Sequence, residues 1–94
     1  MYNTQMIISI KGHGEYMKLS EAITGNYYKV VEILHSDLVG KRMNALGLTS
    51  KTSIYIFHKK RNGTMIIKVR GTRLAIGKPI ADGILVKEIL HEEN

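Results

Sequence analysis

Three sets of residues in this chain have the types and spacings that chemistry uses. The first is "GTRLAIGKP", Gly71 to Pro79. A glycine followed at a distance by Gly-Lys is the outline of the phosphate-cradling loop G-x-x-x-x-G-K-[ST]. In that loop backbone N–H groups and the lysine hold phosphate oxygens, and a hydroxyl binds magnesium. The loop needs four residues between its glycine and its Gly-Lys. Here there are five, Thr72 to Ile76, and Pro79 stands where the hydroxyl belongs. The intervening residues alternate like a strand, and no long helix follows. Gly71 and Gly77 read as punctuation at the two ends of a strand, and a nucleotide site is excluded.

The second set is the histidines. His13, His35, His58 and His91 fall in a loop, ahead of a helix cap, at a strand end and in the tail. No pair has the close spacing of a metal site, so the reading is four solvated polar residues, with His58 and His13 the better placed if a ligand exists. The absence of cysteine removes thiolate ligands and disulfides and fits a reducing cytoplasm. No Ser-His-Asp set stands out, and the eight acidic residues are mostly isolated. The expectation is no enzyme, no cofactor and no metal site.

The third set is basic and aromatic. Lys59, Lys60 and Arg61 are followed by Lys68, Arg70 and Arg73 on what read as neighbouring strands. Strands lie about 4.8 Å apart, so these cations fall into reach of Tyr55 and Phe57 as one patch. Cations interleaved with aromatics suit single-stranded nucleic acid, phosphates pairing while bases stack. The plainer reading, which weighs more, is a solvated outer face whose lysines blunt a sheet edge.

The elements that position these residues follow from periodicity. Ser20 is placed to cap a single helical turn, with Leu19 and Ile23 on one side and Gly25 stopping it. Asn26–Leu34, rich in β-branched and aromatic residues, reads as a strand of ambiguous register, since Val30 and Val31 are both apolar. Ser36 is an N-cap and Asp37 meets the positive end of the helix dipole. Val39, Met43 and Leu46 recur at i, i+4, i+7 as one apolar face. Gly47 falls where a left-handed C-terminal residue is wanted, and Leu48 folds back onto Met43. Gly40 costs the helix up to about 1 kcal/mol relative to alanine, which close packing against a neighbour would justify.

After Thr52 the period becomes two. Ile54 and Ile56 alternate with Tyr55 and Phe57; Asn62-Gly63 signals a type I′ hairpin. The return strand sets Met65, Ile67 and Val69 against Ile66, Lys68 and Arg70. Gly71-Thr72 then makes a type II′ turn into a strand with Leu74 and Ile76 inward. "GKPIADG" gives a helical turn and "ILVKEIL" the last strand. A meander of short strands with one real helix, at this length, is a small SH3-like β-barrel, mostly β with short helices.

Ninety-four residues make one domain with a modest core. The hydrophobic share of 44% and charged share of 23% are those of a globular protein. No apolar run approaches the roughly 20 residues that span a bilayer, and "MIISI" is too short for a secretory leader, so a soluble cytosolic protein is expected. The net charge of +6 and pI near 9.7 admit a polyanionic partner or an acidic protein surface.

Four segments in order, "LSEAITGNYYKVVEI", "RMNALGL", "IKVRGTRLAI" and "IADGILV", resemble the FeoA-like domain. The likeness covers about Met17 to Glu88, and its most specific pieces are Leu46-Gly47-Leu48 and the V-x-G-x-x-L-A-I run from Val69 to Ile76. The chain departs from that pattern at three places. Ser50-Lys51 replaces a usual Pro-Gly, Asn62-Gly63-Thr64 a G-x-P hairpin, and Gly77-Lys78 an arginine after the Leu-Ala-Ile strand. Residues 1–16 form an appendage, an added strand (Met6–Ile10) or flexible arm; 17–90 form the domain and 91–94 a tail.

The resemblance implies a cytosolic accessory protein that binds and modulates the ferrous iron transporter FeoB and does no chemistry itself. A docking surface follows as an expectation. It comprises the helix edge and cap (Lys41, Arg42, Leu48) together with the sheet face (Tyr55, Phe57, Lys68, Arg70, Arg73). Two alternatives remain: a basic nucleic-acid-binding barrel, and a transition-metal-binding module related to the C-terminal domain of iron-dependent repressors. The sequence has no helix-turn-helix segment, so a full repressor is not expected.

Overall fold

A computed structural model describes residues 16–92. The expected strand at Met6–Ile10 and His13 lie outside them. In chain order the elements are β1 (Tyr16–Lys18), a 3-10 turn (Leu19–Glu21), β2 (Tyr27–Ile33), α1 (Asp37–Ala45), β3 (Ser53–Lys59), β4 (Met65–Val69), β5 (Thr72–Ile76), α2 (Lys78–Ala81) and β6 (Ile84–Ile89). The strands form one antiparallel sheet in the order β1-β6-β2-β3-β4-β5. It curls into an SH3-like barrel. The 3-10 turn after edge strand β1 meets α2, which follows edge strand β5. Ser20 Oγ donates to Asp82 Oδ1 there at 2.5 Å, and Lys78 Nζ bonds the other carboxylate oxygen at 3.0 Å. Those bonds hold Asp82 below the usual carboxylate range, the Ser20 bond contributing most. Ser20 therefore ties the barrel together and caps no helix.

The alternating residues fill the inside. Tyr28, Val30, Ile54, Ile56, Met65, Ile67, Val69, Ile76, Ile84 and Val86 are buried, joined by Leu19, Met43, Leu48 and Ala81. Two β-bulges interrupt the alternation. Val30 pairs with Val86 but Glu32 with Leu85, so Val31 is an extra residue and Val30 is the one that enters the core. Ile56 pairs with Ile67 but His58 with Ile66, which makes Phe57 the second extra residue.

α1 begins as its sequence implies, with Ser36 Oγ accepting from Val39 N–H. It lays Met43 into the core with Val39 against it. Leu46 departs from the expected face: it is the C-cap, already out of helical geometry, and is 47% exposed. Gly47 takes φ +89°, and Leu48 N–H returns to the Met43 carbonyl at 2.9 Å, the bond of a Schellman cap. Gly40 has open space around it, so close packing does not explain it.

Both hairpins differ in type from expectation. Gly63 N–H bonds the Lys60 carbonyl, Lys60 N–H bonds Thr64, and only Gly63 has positive φ. That is a type I turn closed by a left-handed glycine, and Asn62 Oδ1 accepts from Thr64 N–H to support it. The second turn sits one residue earlier than expected. Val69 pairs with Thr72, and Arg70 (φ +50°) and Gly71 (φ +83°) form a type I′ pair.

Candidate functional site

In an antiparallel ladder, residues directly opposite one another project from the same face, their Cβ atoms about 5 Å apart. Tyr27 of β2 lies opposite Tyr55 of β3, Tyr55 opposite Lys68 of β4, and Lys68 opposite Arg73 of β5. The register thus draws a row across four strands on the outer face of the barrel, two aromatics followed by two cations. The Tyr27 and Tyr55 rings stand 4.8 Å apart, centroid to centroid, tilted by 52°. Phe57, on the bulge, lies edge-on to Tyr55 at 6.4 Å, and the Arg73 guanidinium sits 4.0 Å from its ring centroid. A cation held over an aromatic face at an exposed site contributes about 0.5–1 kcal/mol. It also holds Arg73 beside the aromatic row.

A depression of about 160 Å³ runs along this row. Tyr27, Tyr55, Phe57, Lys68, Arg70, Arg73 and Glu92 border it, over a floor of Ser53, Ile54 and Gly71. Arg70 enters from the β4–β5 turn, its aliphatic stem beside Gly47 at the end of α1. A shallow groove with ring faces and three cations is equipped to hold an anionic, partly apolar segment.

Of the expected docking residues, Tyr55, Phe57, Lys68, Arg70 and Arg73 come together here. Leu48 does not: the Schellman cap folds it into the core, where it is fully buried, so it belongs to no surface. Lys41 borders a separate, open depression of about 540 Å³ with His35, Asp37 and Gly40. Arg42 is exposed in the last turn of α1, where the negative end of the helix dipole favours a cation. Lys59 leaves the expected patch, because the bulge at Phe57 brings it opposite inward-facing Met65 and its ammonium reaches the Ser20 carbonyl at 2.9 Å. Lys60 and Arg61 stay exposed at the hairpin tip.

Sequence reasoning missed Tyr27 and Glu92. Tyr27 becomes readable only once β2 and β3 are in register. Glu92 carries no local signal of where the tail turns. His35 is not the solvated residue expected: half-buried, its Nε2 donates to the Ile80 carbonyl at 2.7 Å, and Gly83 packs against the ring. His58 is exposed on β3. Among the described residues no three His, Cys, Asp or Glu side chains gather as a metal site. No helix among them is long and apolar enough to cross a membrane.

The model of the FeoA domain matches residues 17–88. The crystal structure of an iron uptake regulatory protein (FeoA) is 32% identical, covering 79% of this chain and 99% of that one, with a TM-score of 0.74. The solution structure of FeoA from Chlorobium tepidum is 25% identical over 83% of this chain and 75% of its own, TM-score 0.73. A manganese-dependent transcriptional repressor superposes with a TM-score of 0.72 at 16% identity. The match covers 83% of this chain and 44% of the repressor, a likeness of fold. Among curated proteins none matches the chain.

Proposed function

Because this chain belongs to the FeoA domain family, we propose that it is a small accessory protein of ferrous iron uptake, docking on the FeoB transporter from the cytosolic side and modulating it without chemistry of its own. The observation that carries the docking reading is the row Tyr27–Tyr55–Lys68–Arg73 with Phe57 and Arg70 beside it. Rigid aromatics flanked by arginine are the side chains that supply most of the energy in protein interfaces. The hydrogen-bonded strands of the barrel hold them in place at little entropic cost. The net charge of +6 favours approach to an acidic surface.

The test is an amide NMR titration of this chain with the soluble GTP-binding domain of the transporter at physiological salt. Shifts confined to Tyr27, Tyr55, Phe57 and the β4–β5 turn are expected. Shifts confined to another face, or none at high partner concentration, would remove the reading.

A further inference from the structure

One element of the docking groove comes from the chain's own tail. β6 ends at Ile89, and three residues later the chain has turned so that Glu92 borders the depression lined by Lys68, Arg70 and Arg73. Three cations and one acidic residue line a groove of about 160 Å³ that Tyr27, Tyr55 and Phe57 also border. An acidic residue of the chain itself thus stands at the rim of a basic groove, within reach of the place that an acidic side chain of a partner would take.

Resting on the docking function proposed above, we infer that the groove recognises a short acidic peptide segment of its partner, and that Glu92 competes with that segment for the groove. The segment's carboxylates meet Lys68, Arg70 and Arg73, while an aromatic residue between them packs on Tyr55 and Phe57. Charge selects the segment in two ways. Three cations attract carboxylates, and Glu92 repels a second anion until the tail moves aside. Displacing the tail thus sets a threshold that a weakly acidic segment does not cross.

The probe is a synthetic pentapeptide, Glu-Glu-Tyr-Glu-Glu with blocked ends, titrated into the full chain and followed by amide NMR. Shifts at Tyr55, Phe57, Lys68 and Arg73 are expected, with none from the same peptide carrying Gln for Glu. Charge reversal of one exposed cation, Lys68→Glu or Arg73→Glu, weakens binding by about tenfold, the scale for one charge pair at an interface. Glu92→Gln strengthens it by about two- to threefold, as expected for removing a competing surface charge. Unchanged amide dispersion checks that each variant is folded.

A peptide that leaves the row unshifted overturns the inference, and so does binding of an oligothymidylate there when the peptide fails. Unchanged affinity in Glu92→Gln overturns the competing role of the tail. If the transporter domain shifts the row and the peptide does not, this inference falls and the docking function stands. If the peptide binds and the domain does not, the docking function falls and the acidic-segment site stands.

Discussion

Two residues of this barrel hold backbone conformations that their side chains disfavour. Lys51 has φ +74° and Arg70 φ +50°, the left-handed region that costs an L-residue with a Cβ roughly 1–2 kcal/mol. Lys51 stands where the family pattern places the glycine of a Pro-Gly. The loop holds it there through the Thr49–Thr52 hydroxyl pair at 2.8 Å and a 2.7 Å bond from Lys51 N–H to the Val30 carbonyl. Lys51→Gly is expected to raise stability by up to about 1 kcal/mol in urea unfolding, the relief partly offset by a freer unfolded chain. Arg70→Asn creates the Asn-Gly pair that a type I′ turn prefers and should stabilise similarly. It also removes a cation from the groove, so the same variant should bind the transporter domain more weakly. A gain in stability coupled to a loss of affinity would mark Arg70 as strained for function. Leu48 gives the opposite kind of outcome. Leu48→Ala removes a fully buried side chain and should cost about 2–5 kcal/mol.

At the scale of elements, much was legible in the sequence. The 2-period of Ile54–Phe57 and Met65–Arg70 marks the strands and their inner faces correctly, because one face of each strand is in the core. The helix start at Ser36 and its stop at Gly47 are equally plain, because caps are local chemistry. What stayed hidden depends on distant pairing. Nothing near Val31 or Phe57 announces a bulge, since an extra residue is defined only against the opposite strand. Tyr27 could not be set beside Tyr55 for a related reason, since the β2–β3 register is fixed only after the chain has passed through α1 and returned. Leu48 carries the same lesson at a cap, where an apolar residue after a helix fits a surface or a core until the chain's return path is known. Gly40, mid-helix with open space around it, stabilises nothing by being small. Gly40→Ala is expected to raise the melting temperature, by up to about 1 kcal/mol of stability. Gly83 is the contrast, because a Cβ there would come within 3.0 Å of His35 ring atoms. Gly83→Ala should cost about 1–3 kcal/mol in the same experiment.

Across the whole molecule, the closure between the 3-10 turn and α2 depends on an ionised Asp82. Its carboxyl is held below the ordinary value by Ser20 and then Lys78, so it binds protons less readily folded than unfolded. The resulting stabilisation is complete above the ordinary carboxylate range and disappears as pH falls through the lowered folded-state value. Asp82→Asn should therefore be less stable than the parent at neutral pH, with the difference vanishing in acid. Ser20→Ala should follow the same profile with smaller amplitude, read by thermal unfolding across pH.

The sheet order also places the first described strand beside the last, with Met17 opposite Val86. The two ends of the barrel are neighbours in space, so the order in which the strands are threaded is separable from the barrel they build. A circular permutant that joins the tail to the first residue and opens the chain between Arg61 and Asn62, at an exposed hairpin tip, keeps every strand pairing. In such a protein a tether of chosen length follows Glu92 and sets how readily it leaves the groove.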